Sequence, residues 1–127
     1  MSTPLDMASL QAWLDRYRAA WESREAARAA SLFSADASYR ETPFDAPMRG
    51  PEGVREYWTR VTADQRDVQF QSRPIAISGH TGIAEWSATF KLASSGATIE
   101  LAGVFVLDFD ANGLCSSLRE WWHVRQR

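Results

Sequence analysis

The sequence predicts an α+β domain, with helices on one face of an antiparallel sheet. Three observations predict it. Apolar residues recur at three- and four-residue steps through the first half of the chain and alternate one by one after Asp67. The alternating stretches are split by sequences built for tight turns. Helices first and a meander second is the order of an α+β domain. At 127 residues the chain is the length of one domain, so residues 1–127 are read as a single unit.

Each element follows in order. Thr3, Pro4 and Asp6 form a helix start: a capping hydroxyl, proline at the first helical position and an acid three residues on. Leu10, Trp13, Leu14, Tyr17, Ala20 and Trp21 then make one wide apolar face. Ser23 is a candidate cap for a second, alanine-rich helix over Glu25 to Phe33, ending near Ser34. Ser38 to Thr42 reads as a short strand, and Pro43 to Pro51, with three prolines and a glycine, as a loop. Gly50-Pro51 opens a third helix whose Val54, Tyr57, Trp58 and Val61 share a face. Four strands follow, over Val68–Ser78, Gly82–Leu92, Thr98–Asp110 and Leu114–Val124. Gly79-His80, Ser94-Ser95-Gly96 and Asp110-Ala111-Asn112-Gly113 join them as hairpins.

Composition narrows the function classes. Apolar residues make up 45% of the chain and charged ones 24%, a globular balance. The formal charge is −2 and no basic tract exists, which argues against a nucleic-acid partner. The longest nearly apolar run is Leu101 to Leu107, far short of a membrane span. No signal peptide is visible and Cys115 is the sole cysteine, so a cytoplasmic location is expected. His80 and His123 stand far apart, and no metal-ligand spacing or glycine-rich phosphate loop exists. The expectation is a protein with no metal and no cofactor. Cys115 reads as a buried, inert thiol.

The order of elements at this length resembles the nuclear transport factor 2-like superfamily, and within it the SnoaL-like group. The residues that carry the resemblance are Leu32-Phe33, Asp36-Ala37, the loop from Pro43-Phe44 to Pro47-Met48-Arg49-Gly50, Tyr57-Trp58, Phe109 to Gly113, and Leu118 to His123. The resemblance implies a cone-like roll: three N-terminal helices packed on a strongly bent antiparallel sheet around an apolar pocket. It also implies a homodimer through the outer sheet face, with Trp121, Val104 and Val106 in the interface.

Alternation in the last strand puts Leu118, Glu120, Trp122 and Val124 on one face and Arg119, Trp121 and His123 on the other. Similarity to ketosteroid isomerases turns the Glu120 face inward. A carboxylate among aromatic rings is desolvated and suited to proton transfer. SnoaL-type cyclases and limonene epoxide hydrolases place a catalytic Asp on the final strand; here the residue is Glu. The same resemblance places Glu41 where isomerases carry the proton-shuttling base, and Tyr17 where they carry an oxyanion donor. Their second donor, an Asp, falls at Phe105, a departure that argues against steroid isomerisation. The competing reading makes Tyr17 a core aromatic and Glu41 a partner of Arg40 or Arg49. Trp58, Trp86, Phe90, Leu101, Phe105, Trp122 and Tyr39 are the expected pocket walls. The function expected is cofactor-independent acid–base chemistry on a small, largely apolar organic molecule, with Glu120, Glu41 and Tyr17 as catalytic candidates. The alternative is a dimer that binds or sequesters such a molecule without turnover. A protein-binding module comes third, because the sequence shows no separate interaction segment.

Overall fold

A computed structural model describes residues 4–127. The first helix, α1 (Met7–Glu22), starts at Asp6, whose carboxylate accepts the Ser9 N–H at 2.7 Å. Pro4 therefore lies before the cap, not at the first helical position, and Thr3 falls outside the described residues. A carboxylate satisfies a free N–H and also complements the helix dipole. The predicted apolar face is buried in full: Leu10, Trp13, Leu14, Tyr17, Ala20 and Trp21.

The second helix is shorter than the alanine content suggests. It spans only Ala26–Ala30 (α2), and Ser23 closes α1, donating to the Ala19 carbonyl at 2.7 Å, and does not open α2. Strand β1 (Phe33–Arg40) takes the residues beyond it. The reason is tertiary: Phe33 is buried beside Trp13 and pairs with Cys115 in the sheet, which outweighs local helix propensity. The proline-rich loop holds a two-residue strand, β2 (Met48–Arg49). Gly50 then opens α3 (Gly50–Thr62) at φ +67°, where an added Cβ would meet the Ala35 carbonyl oxygen at 3.0 Å.

Four long strands follow: β3 (Gln65–Ser78), β4 (Thr81–Leu92), β5 (Thr98–Phe109) and β6 (Cys115–Gln126). They form the expected antiparallel meander. Pro74 lies in β3, at the sheet edge and beside a register shift, where a missing N–H costs no ladder bond. The sheet as a whole is mixed, however, in the order β2-β1-β6-β5-β4-β3. Strand β1 runs parallel to β6, with Tyr39 beside Leu118 and Arg40 beside Arg119. Sequence alternation gives strand faces but not the direction of a strand brought in from about eighty residues away. The sheet is strongly curved and open, with the helices on its inner face.

The core is dense in rings. Trp13 stacks on Tyr17 (5.3 Å between centroids) and meets Phe33 and Phe109 edge-on. Phe105 stacks on Trp86 at 5.2 Å. Burying each such ring contributes roughly 1.5–3 kcal/mol, which explains why this α1 face decides how the helix docks.

Candidate active site

Between the helices and the inner sheet face lies a cavity of about 370 Å³. Its walls are Trp21, Trp58, Val61, Trp86, Phe90, Leu92, Ile99, Leu101, Trp122 and Val124; its polar groups come from Tyr17, Glu41, Tyr57, Gln65 and Glu120. The three catalytic candidates are therefore brought together. So are Trp58, Trp86, Phe90, Leu101 and Trp122 among the expected walls. Phe105 and Tyr39 are corrections: both are fully buried one layer behind the lining. Phe105 supports Trp86 and Tyr17, and the Tyr39 hydroxyl lies 3.1 Å from that of Tyr17.

Glu120 projects inward because β6 alternates as its sequence predicts. Leu118 and Glu120 are buried, while Arg119, Trp121 and His123 are exposed on the outer face. Glu120 sits directly across from Phe105 in the β5–β6 ladder. Its residue is 7% exposed, and among the described residues its carboxyl has no hydrogen bond and no ion pair. Burial pushes its pKa well above the ordinary carboxylate value, and the nearby charge of Glu41 adds to the rise.

Glu41 reaches the same place by another route. It is the first residue after β1, so the parallel pairing of Arg40 with Arg119 carries it alongside Glu120. Its carboxylate accepts a hydrogen bond from the Tyr57 hydroxyl, and its backbone carbonyl accepts the Trp122 indole N–H at 3.0 Å. The expected arginine partners are absent from it; Arg40 donates instead to the Asp45 carbonyl at 3.1 Å. Tyr57 is the functional residue that the sequence reading passed over. Its signal was there, since it shares the α3 face with Trp58 and Val61, but nothing local says which acid its hydroxyl meets.

Tyr17 is both core and site. It packs edge-on against Trp58 and Phe105, yet it also lines the cavity. Burial pushes the pKa values of Tyr17 and Tyr39 far upward, with the Glu120 charge contributing to both, so these phenols stay protonated donors. Tyr57 is raised as well, by burial and by its bond to Glu41.

The remaining candidates behave as ordinary structure. Cys115 is buried, its thiol donates to the Ser117 carbonyl at 3.3 Å, and burial pushes its pKa up, away from nucleophilic reactivity. His123 is exposed on the outer face. No group of three or more His, Cys, Asp or Glu among the described residues is placed to hold a metal ion. No helix among them is long and apolar enough to cross a membrane.

The fold has parallels in solved structures. A hypothetical protein of ketosteroid isomerase-like fold from Catenulispora acidiphila DSM 44928, solved with trimethylamine, aligns with a TM-score of 0.75 at 17% identity, over 86% of this chain and 83% of that one. The epoxide hydrolase/cyclase-like enzyme SalBIII, from pyran ring formation in the polyether salinomycin, aligns at 0.80 and 15% identity, over 94% and 96%. The Δ5-3-ketosteroid isomerase from a Mycobacterium species aligns at 0.77 and 14% identity, over 94% and 98%. At these identities the likeness is one of fold. No curated protein matches the sequence. The family model of the SnoaL-like domain matches residues 14–118, from the middle of α1 to the first third of β6. With its curved sheet, inward acids and that match, the chain belongs to the SnoaL-like domain family.

Proposed function

We propose that this protein is a cofactor-independent acid–base enzyme acting on a small, largely apolar organic molecule held in the aromatic cavity. One observation carries the reading: Glu120 is buried, unpaired and open to a cavity that Glu41 also lines. A structural carboxylate at such depth is normally paired, because an unpaired one costs several kcal/mol to ionise. Burial favours the protonated form of Glu120, which avoids that cost and is the state a general acid needs. It donates that proton to the substrate as one bond reorganises, and the resulting carboxylate takes a proton back from a neighbouring carbon. The cycle ends with Glu120 protonated again. Burial keeps the proton affinity of Glu120 high, and Glu41, fixed by Tyr57, adds to it. Tyr17 supplies a hydroxyl donor for negative charge developing on substrate oxygen. The isomerase and cyclase-like neighbours accord with chemistry of this type.

The enzyme reading is tested by deuterium exchange. Small ketones incubated with the protein in D2O should gain deuterium beside the carbonyl, and Glu120→Gln should slow that exchange by roughly two to four orders of magnitude. Exchange equal in the variant and the wild type would remove Glu120 from the chemistry.

A second reading, a dimer that binds an apolar molecule without turnover, draws on two observations. The resemblance to ketosteroid isomerases implies a second donor at the position that Phe105 occupies, and a phenyl ring donates nothing. The outer sheet face exposes Trp121 (46%) and Val104 (39%), which are direct cross-strand partners. Exposed large apolar neighbours of this kind suit a sheet-to-sheet interface between two copies. The dimer is compatible with either reading.

A further inference from the structure

We propose that the corner of the cavity between Glu41 and the Trp122 ring binds the ammonium group of a small apolar amine. The proposal rests on the small-molecule reading above and adds the ligand's chemical class.

The lining is unbalanced in charge. No Lys, Arg or His lines the cavity, whereas two acids do. Four tryptophans line it, and none turns a free N–H toward a ligand. Trp21 donates to Gln65 Oε1 at 2.7 Å and Trp122 to the Glu41 carbonyl at 3.0 Å. The indole nitrogens of Trp58 and Trp86 are closed off, without an acceptor, so these rings present carbon to the cavity. The Tyr57 hydroxyl is spent on the Glu41 carboxylate, and the hydroxyls of Tyr17 and Tyr39 are engaged with each other. Beyond the carboxyl of Glu120, the uncommitted donors in the lining are the one O–H that the shared Tyr17–Tyr39 hydrogen bond leaves over and the amide nitrogen of Gln65, across from α1.

A cavity of this kind is rich in acceptors and ring faces and poor in donors. An anionic ligand would meet two acids and no counter-charge. A neutral ketone would find few donors. An ammonium group supplies both things that the lining lacks, positive charge and N–H donors. Ring faces attract cations through their quadrupole, most strongly where water is excluded. The corner at Glu41 is suited to this because its carboxylate is held in place by Tyr57 and its backbone by Trp122, so little ordering is needed on binding. Arg60, which is exposed and outside the lining, already lies over the Tyr57 ring at 5.7 Å, so the ring left for the ligand is that of Trp122. Pairing the amine with Glu41 leaves Glu120 as the acid, so binding and proton transfer fall to different carboxyls.

The test uses three probes of one shape and different charge: N,N-dimethylcyclohexylamine, cyclohexanone and cyclohexanecarboxylate. Each is titrated at pH 7 into the 15N-labelled full chain, following the indole N–H signals. The amine should bind at least about tenfold more tightly than the ketone, with the carboxylate failing to bind. Glu41→Gln should bring the amine to the affinity that the ketone shows on the same variant, a loss of at least about tenfold in the amine-over-ketone preference. If cyclohexanone binds as tightly as the amine, or the carboxylate binds at all comparably, the amine proposal is overturned and the small-molecule cavity stands. An amine affinity unchanged by Glu41→Gln also overturns it. Should none of the three bind, both the amine proposal and the small-molecule reading fall together.

Discussion

Glu41 and Glu120 stand side by side because β1 runs parallel to β6: Arg40 pairs with Arg119, and the residue after each, the first beyond β1 and the next in β6, is an acid that lines the cavity. The two acids differ in their surroundings. Glu41 accepts a phenolic hydrogen bond from Tyr57, while Glu120 has no partner and is desolvated. Burial, with the charge of Glu41 adding to it, raises the pKa of Glu120.

The first prediction concerns pH and stability. In the folded protein the pKa of Glu120 lies well above its ordinary 4.5, so between 4.5 and the folded value the native state holds a proton that the unfolded chain has released. Stability from this group is therefore fully present below about pH 4.5 and is lost as pH rises through that window, by at most about 1.4 kcal/mol per pH unit. Glu120→Gln does not titrate. Urea unfolding should find the variant gaining on the wild type as pH rises from 4 to 8. A difference that is flat with pH contradicts the account.

Tyr57→Phe removes the hydroxyl that holds Glu41. The bond is half-buried, so the expected loss is about 1–2 kcal/mol, because the acceptor is charged. Denaturant unfolding at pH 7 measures it. The Trp122 indole N–H signal should shift as well, because that group bonds to the Glu41 backbone.

Gly103 faces Trp122 across the β5–β6 ladder, and an added Cβ would come within 2.4 Å of the Trp121 carbonyl oxygen and 2.8 Å of the Trp122 Cβ. Backbone on one side leaves nowhere to move. Gly103→Ala should cost about 1–3 kcal/mol by thermal unfolding and displace the Trp122 wall of the cavity. An unchanged melting temperature would show that the strands separate more readily than this packing implies.

If two copies meet through the outer sheet face, Trp121→Glu should convert a dimer to a monomer in sedimentation at micromolar concentration, and leave the cavity intact. A wild-type protein that sediments as a monomer there contradicts the interface.

Much of the fold was legible because local periodicity carries it. The buried face of α1, the four-strand meander and the two faces of β6 follow from spacing, and the resemblance supplies which face of β6 turns inward. What was not legible depends on contacts between distant segments. The parallel placement of β1 turned a sheet expected to be antiparallel into a mixed one. Phe33 left an apparent helix for the sheet because Trp13 and Cys115 await it there. The same limit applies to the site. Glu120 could be placed by alternation and resemblance, whereas the grip of Tyr57 on Glu41 joins residues sixteen apart through a loop whose path no pattern encodes. Phe105 and Tyr39 were assigned to the right face but one layer too shallow, since alternation gives direction and not depth.

The central claim is that Glu120 keeps its proton near neutral pH inside the cavity. Carbon-detected NMR of glutamate-labelled protein, with Glu120→Gln used to assign the signal, measures this directly. The account predicts that the Glu120 carboxyl stays protonated well above the ordinary carboxylate range. A Glu120 signal that titrates near 4.5 would contradict it.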